Sequence, residues 1–581
     1  MNVFVTDVGY GAMVIGLVIA AYTAVAATSG AMKGYPELLR SARNGVLVTF
    51  GLTSLASAAL VYAFLARDFG VQYVAQYSSR DLEPVFTFAA WWAGQAGSLL
   101  LWAWMLAMFA TIIVVQNKEQ NRRLLPYATS IMMAILAFFL LVMIFAANPF
   151  ERSPVTPADG QGLNPLLENF GMFFHPTTLY IGYVGFTVPF AFAMAALITK
   201  RLDDQWIRST RRWTLFAWFF LGLGNLFGAQ WAYVELGWGG YWGWDPVESA
   251  SFMPWLTGTA YLHSVMIQQR RGMLKVWNML LIIITFTLSI FGTLLTRSGI
   301  LSSVHTFSQS AVGPMFMALI GVLLVFSLGL LLDRLALLKS ENEIDSFMSR
   351  EASFLLNNLL LVGAAFAVFW GTVFPLISEA VRGVKITVGP PFYNQVSAPI
   401  FLGMVILMGV CPLIGWRKAS TENLQKFLKS LWRSGSRRRR AVPHVVQGMV
   451  RYCGVLGAGL CHADHHARVL PWDARSASGE WAALCQCARI LDLGQQAAVR
   501  WPCRAHRRDR HGHRRGRLPV LFGQRGIQPS SWGFTVDQGL QGYLPRSDRI
   551  PDAEPARGVG SGGGLAGRTE AFQDELGQAV P

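Results

Sequence analysis

From its start to Arg433 the chain alternates long, continuous apolar runs with short polar segments. A helix needs about 20 apolar residues to cross roughly 30 Å of hydrocarbon, and a backbone in lipid must satisfy its own hydrogen bonds, so a spanning chain is helical or a closed barrel. The runs do not alternate polar with apolar positions, which excludes barrel strands and predicts an all-α polytopic membrane protein. Eleven spans are expected, near 8–28, 44–66, 91–115, 124–147, 175–198, 213–233, 251–267, 276–296, 312–332, 353–377 and 396–416. The seventh is short, with indistinct ends. The first does not have the pattern of a cleaved signal sequence, which carries positive charge ahead of its apolar stretch. Here Asp7 precedes the run, and Lys33, Arg40 and Arg43 follow it.

A mean hydropathy of +0.37 is too high for a soluble domain of 581 residues and agrees with that reading. The formal net charge of +16 invites a nucleic-acid partner, but the placement of the charge argues against one. Of the 28 Lys and Arg up to Arg433, 22 fall in alternate loops and 6 in the others. Cytoplasmic loops hold the excess of Lys and Arg, so the pattern sets the N-terminus outside.

The composition changes near Ser434. Beyond it lie 21 Arg and no Lys, seven of the ten His and five of the six Cys, with no run able to span a membrane. Arg437–Arg440 and the stretch from His506 to Arg515 resemble neither a loop nor a packed core. A basic arm for nucleic acid or anionic lipid is one reading. Such arms usually mix Lys with Arg, and a reading-frame shift near 425–440 accounts better for a tail rich in Arg, Ala, Gly and Pro. The expected organisation is therefore a membrane domain over 1–433 and an aberrant, disordered tail over 434–581. Cys485, Cys487, His465 and His466 receive no role on that reading. Cys411 is then the single cysteine of the membrane domain, so thiol redox chemistry must come from a partner.

The stretch from Trp231 to Trp255 reads WAYVELGWGGYWGWDPVESASFMPW. Trp231, Trp238, Trp242, Trp244 and Trp255 share it with Tyr233 and Tyr241, and it holds no Lys or Arg. The topology puts it outside, between the sixth and seventh spans. An interfacial aromatic belt also collects Trp and Tyr, but it spreads them over many helix ends. Here they crowd one loop with Gly237, Gly239, Gly240 and Gly243 between them, and glycine permits tight turns and close approach to a ligand. Broad aromatic faces on such a loop suit a flat, polarisable ligand such as a porphyrin.

Three histidines precede the tail. His175, at the outer mouth of the fifth span, and His305, in the outer loop after the eighth, flank the tryptophan loop, and neutral imidazole is a usual axial ligand of haem iron. His263 lies within the seventh span. It is either a neutral histidine bonded to a neighbouring helix or a ligand to a second, buried haem. Arg297, the one basic residue of its outer loop, suits a haem propionate or an ordinary interfacial position. Asp245 and Glu248 either orient the histidines and the loop or serve as turn and cap residues around Pro246.

WGGYWGWDPVESASFMPWL resembles the tryptophan-rich "WWD" signature of the CcmF/NrfE haem lyase subunits. FFHPTTLYIGY and TRSGILSSVH are similar to two further stretches of that family, in order and spacing, and the resemblance covers roughly residues 1 to 430. It implies a multi-pass protein of the bacterial inner membrane whose haem site faces the periplasm. It implies that the chain receives haem from a chaperone and joins its vinyl groups to the two thiols of a CxxCH motif in apocytochrome c, with thiol-reducing maturation subunits as further partners. By the same resemblance His175 and His305 match the outer axial ligands, and His263 one of two ligands of a b-type haem in the membrane. The family's second transmembrane histidine has no counterpart here in a membrane-like context.

Two other functions compete. A non-catalytic haem transport or delivery protein needs only the helices and the haem site. An ion or proton translocator usually needs several charged residues buried across its spans, and these spans are nearly free of charge.

Overall fold

The computed structural model describes residues 3–116, 121–237, 240–307, 311–340, 342, 349–411, 425 and 429. Trp238, Gly239 and the expected tail at 434–581 lie outside the described residues. Among the described residues fourteen α-helices form: α1 (Val3–Lys33), α2 (Pro36–Leu65), α3 (Gln72–Tyr77), α4 (Pro84–Ala89), α5 (Gln95–Gln116), α6 (Leu125–Ala146), α7 (Gly171–Gly185), α8 (Thr187–Thr199), α9 (Gln205–Glu235), α10 (Pro246–Arg271), α11 (Lys275–Ser298), α12 (Val312–Arg334), α13 (Arg350–Arg382) and α14 (Pro390–Val410). Among the described residues β-structure is confined to an isolated bridge between Val71 and Arg152. The chain is thus an all-α, multi-pass membrane protein, as the apolar runs require.

Among the described residues ten helical segments are long and apolar enough to cross a membrane, and they match ten of the eleven expected spans. The other expected span, 251–267, lies inside α10. That helix is 26 residues long but carries Ser, Thr, His and Gln along its length, so its composition is less apolar. It can be polar because it is covered, packed against α9, α11 and α13.

The fifth span is two helices rather than one. α7 and α8 meet at Phe186. Pro189 cannot donate to the carbonyl of Gly185 and its ring crowds that carbonyl, so the helix breaks there. α8 is buried on every side, with Val188 and Phe190 to Leu197 at 1% exposure or less. A helix that is hydrophobic all round belongs inside a bundle. Beside it α1 packs on α2 and α6, and α5 on α2 and α6. Trp102 of α5 stacks on Phe139 of α6 at 5.2 Å and on Tyr183 of α7 at 5.9 Å.

Loops of the same expected side meet at the same end of the bundle. At one end Lys385 donates to the carbonyl of Ile300 (2.7 Å), and Ser303 reaches Asp245 (2.6 Å). At the other, Asn121 accepts from Gln205 and Ser209 at 3.0 Å each, and Asn342 donates to the carbonyl of Arg271 (2.7 Å). α10 joins the two ends: 26 residues at 1.5 Å each span about 39 Å.

Candidate haem-binding end of the bundle

α7 reaches the first of these ends against α9, and small residues set the distance. A Cβ on Gly182 would lie 2.6 Å from that of Leu221, and one on Gly185 2.8 Å from that of Ala217. On α9, a Cβ on Gly224 would lie 2.8 Å from the backbone nitrogen of Leu179. Small residues at these positions let two helix backbones close on each other. The close approach carries His175 of α7 onto the surface of α9. Its Nδ1 lies 2.9 Å from the carbonyl of Gly224, and a Cβ on Gly228 would stand 2.5 Å from its ring. Trp231, one turn further along α9, meets the same ring edge-on, centroids 5.8 Å apart.

His305 comes from the loop after α11. Gly299 ends that helix at φ +63, a left-handed conformation that glycine adopts without steric cost. The loop then folds back, with the N–H of Phe307 bonded to the carbonyl of Thr296 at 2.9 Å. His305 Nδ1 lies 3.1 Å from Asp245 Oδ2, which also accepts from Ser303 (2.6 Å) and from the N–H of Val247 (3.0 Å). Asp245 is therefore both of the things the sequence left open: it caps α10 and it holds a histidine. Glu248 completes a capping box, accepting from the N–H groups of Asp245 (3.2 Å) and Gly243 (3.0 Å). Burial pushes the Asp245 carboxyl up, but the bonds from His305, Ser303 and Val247 more than offset this and hold it below its ordinary value.

The two imidazole rings stand 6.3 Å apart between centroids, with 58° between their planes. Each Nδ1 faces an atom that can only accept, a carbonyl oxygen for His175 and a carboxylate for His305. In the neutral form of each ring Nδ1 must therefore carry the proton, which leaves Nε2 with a free lone pair. An imidazole anchored through Nδ1–H to a carbonyl or carboxylate is the usual form of a metal-ligating histidine.

The expected tryptophans divide between two places. Trp244, at φ +58, stacks on Tyr393 of α14 at 4.9 Å and 8°, and its Nε1 donates to Asn394 (2.8 Å). Trp242 packs edge-on against Trp244 (5.8 Å) and Phe252 (5.6 Å). Tyr233 and Tyr241 stack at 4.4 Å. Trp255 lies away from the loop, on the side of α10 facing α9, stacked with Trp218 and Phe252 at 5.9 Å each. The indole N–H groups of Trp231 and Trp242 are buried without a hydrogen-bond partner.

Arg297 is not an exposed interfacial arginine. It is 1% exposed, and its Nη1 donates to the carbonyl of Gln95 (3.0 Å) and to Ser98 Oγ (2.9 Å) on α5. His263 stands apart from the pair, 18 residues beyond Asp245 in sequence, about 27 Å along α10. Its Nδ1 lies 2.9 Å from the carboxamide of Asn357 on α13, so it is bonded to a neighbouring helix.

Comparison with known proteins bears on the family of the chain. The sequence model described as "Cytochrome C assembly protein" matches residues 92–302. The cytochrome c-type biogenesis protein CcmF of Haemophilus influenzae is 41% identical over 416 residues, 71% of this chain and 64% of that protein. CcmF of Escherichia coli is 39% identical over 424 residues, covering 73% and 65%, and NrfE of Haemophilus influenzae is 37% identical over 404 residues, covering 69% and 64%. This chain thus spans just under two thirds of the length of these relatives. A solved structure titled "Cytochrome c Heme Lyase CcmF" superposes with a TM-score of 0.66 at 31% identity, covering 84% of this chain and 74% of its own. The chain belongs to the CcmF/NrfE family of cytochrome c assembly proteins.

Proposed function

We propose that the chain acts in bacterial cytochrome c maturation, holding haem at the tryptophan-rich end of its bundle for covalent attachment to the CxxCH motif of apocytochrome c. The observation that carries this reading is the histidine pair. A metal–imidazole bond is about 2 Å long, and the ring centre lies about 1 Å further on, so two imidazoles on opposite sides of one metal have centroids about 6 Å apart. His175 and His305 stand at 6.3 Å, each anchored through Nδ1. On this reading they hold the haem iron, while Trp231, Trp242 and Trp244 supply aromatic surface around it. Haem is here the substrate, delivered by a haem chaperone.

Thioether formation adds a cysteine S–H across each vinyl group: the sulfur bonds to the vinyl carbon and the proton goes to its neighbour. The chain's part is to place the ring. Holding reactants in register can supply about 7–11 kcal/mol of a barrier. The histidine of the incoming CxxCH then replaces one of the two protein imidazoles. Maturation subunits keep the substrate thiols reduced, because the membrane domain has Cys411 alone. The Lys and Arg asymmetry of the loops supports a periplasm-facing site in the inner membrane. A b-type haem at His263 has weaker support, since the carboxamide nitrogen of Asn357 donates to its Nδ1, which puts the proton of the neutral ring on Nε2.

The test is co-expression with an apocytochrome in a host lacking its own synthetase. Haem-stained covalent product that depends on this chain, and that falls with His175→Ala and His305→Ala, supports the reading. Haem bound to the purified chain without any covalent product would leave a delivery protein instead. Unchanged haem content in both variants would remove the pair from the site.

A further inference from the structure

Arg297 is a buried cation without a counter-charge. Both bonds from Nη1 go to uncharged oxygens of α5, the Gln95 carbonyl and Ser98 Oγ, and Tyr180 is its other hydrogen-bonding neighbour. Nε is buried and has no partner. Among the described residues no carboxylate lies within ion-pair distance of the guanidinium. The C-terminal end of α11 favours a cation, but the N-terminal end of α5, which the guanidinium also faces, does not. Buried charges in proteins are paired, because an isolated one is costly to remove from water. The missing anion therefore points to a ligand.

The position of the residue says which ligand. Phe307 lies against the guanidinium, 5.7 Å from ring centroid to carbon, and its backbone N–H is bonded to Thr296, the neighbour of Arg297. His305 is two residues before Phe307. One closed loop thus carries both the imidazole and the ring that covers the cation. We propose that Arg297 receives a carboxylate of the porphyrin, a propionate, at its free Nε edge, fixing the rotation of the ring about the His175–His305 axis. This rests on the haem reading of that pair. Guanidinium is suited to the task because its planar fork matches a carboxylate.

The alternative is that Arg297 only pins α11 to α5. The two are separated by titrating the purified full-length chain with haem and with haem dimethyl ester, whose propionates carry no charge. The wild type is expected to bind haem about tenfold or more tightly than the ester, the scale of a charge-assisted hydrogen bond. Arg297→Gln is expected to weaken haem to the level of the ester and leave the ester unchanged. Arg297→Lys, which keeps the charge without the fork, falls between them and carries the test if the Gln variant does not fold. Equal affinity of the wild type for both porphyrins overturns the propionate contact, as does an equal loss of both in the variants. Binding of neither porphyrin overturns this inference together with the haem site itself.

Discussion

The imidazole of His305 and the carboxylate of Asp245, 60 residues apart in the chain, meet at 3.1 Å. One aspartate thereby ends the tryptophan loop, starts α10 and orients the histidine of a different loop. The outer partners of metal-binding histidines fix their tautomer and raise their basicity. Asp245→Asn keeps the shape and removes the charge, and is expected to weaken haem binding about 10- to 100-fold. Haem titration followed by absorbance reads this directly. Affinity equal to that of the wild type would show that the carboxylate is a helix cap and nothing more.

Gly228 is the seat of the other histidine. A methyl group there would stand 2.5 Å from the His175 ring, inside any tolerable contact, so Gly228→Ala must push the imidazole from its place. Haem content should fall with little change in helix content by circular dichroism. Gly321 of α12 is the control, since a Cβ there meets nothing within 4 Å. Gly321→Ala should retain haem and gain up to about 1 kcal/mol of helix stability. The expectation fails if the two variants bind haem alike.

Asp245 also makes a statement about pH. Its value in the folded protein is below the ordinary aspartate value. The stability it contributes is therefore fully present above that ordinary value and is lost as pH falls through the depressed one. The difference in thermal unfolding between the wild type and Asp245→Asn should persist from about pH 8 down to about pH 5 and shrink only below about pH 4. A difference that already disappears between neutrality and about pH 5 would mean that the carboxylate is not held in this way.

Trp244 ties the loop to α14 by a stack on Tyr393 and a bond to Asn394. Trp244→Phe keeps an aromatic face and loses the bond, a cost of about 1 kcal/mol. Tyr393→Ala loses the stack and should expose the loop more. Limited proteolysis between Leu236 and Trp244 should rise modestly in the first variant and strongly in the second. The reverse order would contradict the anchoring role of Tyr393.

Most spans were legible because lipid leaves the chain a helix or a closed barrel, and continuous apolar runs select the helix. Legibility failed where context did matter. α10 is too polar to stand out because its neighbours cover it, and the break at Phe186 depends on Pro189 acting on a carbonyl one turn back. Within the site, the histidines, Asp245 and the tryptophan loop stood out by residue type. Trp255 shares the composition of the loop but sits on the α9 face, which spacing alone does not reveal. Gly228 carried a local signal, since Gly224 and Gly228 are four apart on an apolar helix, though nothing in that spacing names His175 as the neighbour. Tyr393, Asn394 and Asn357 had none: their partners lie 94 residues or more away, and only the fold brings them together.

The sharpest measurement is the spectrum of the haem-loaded chain and of its His175→Gly and His305→Gly variants, before and after addition of free imidazole. Two protein imidazoles on one iron predict a six-coordinate, low-spin wild type, loss of that state in each variant and its return when imidazole fills the gap. A low-spin spectrum that persists in both variants without added imidazole would show that the iron is held elsewhere.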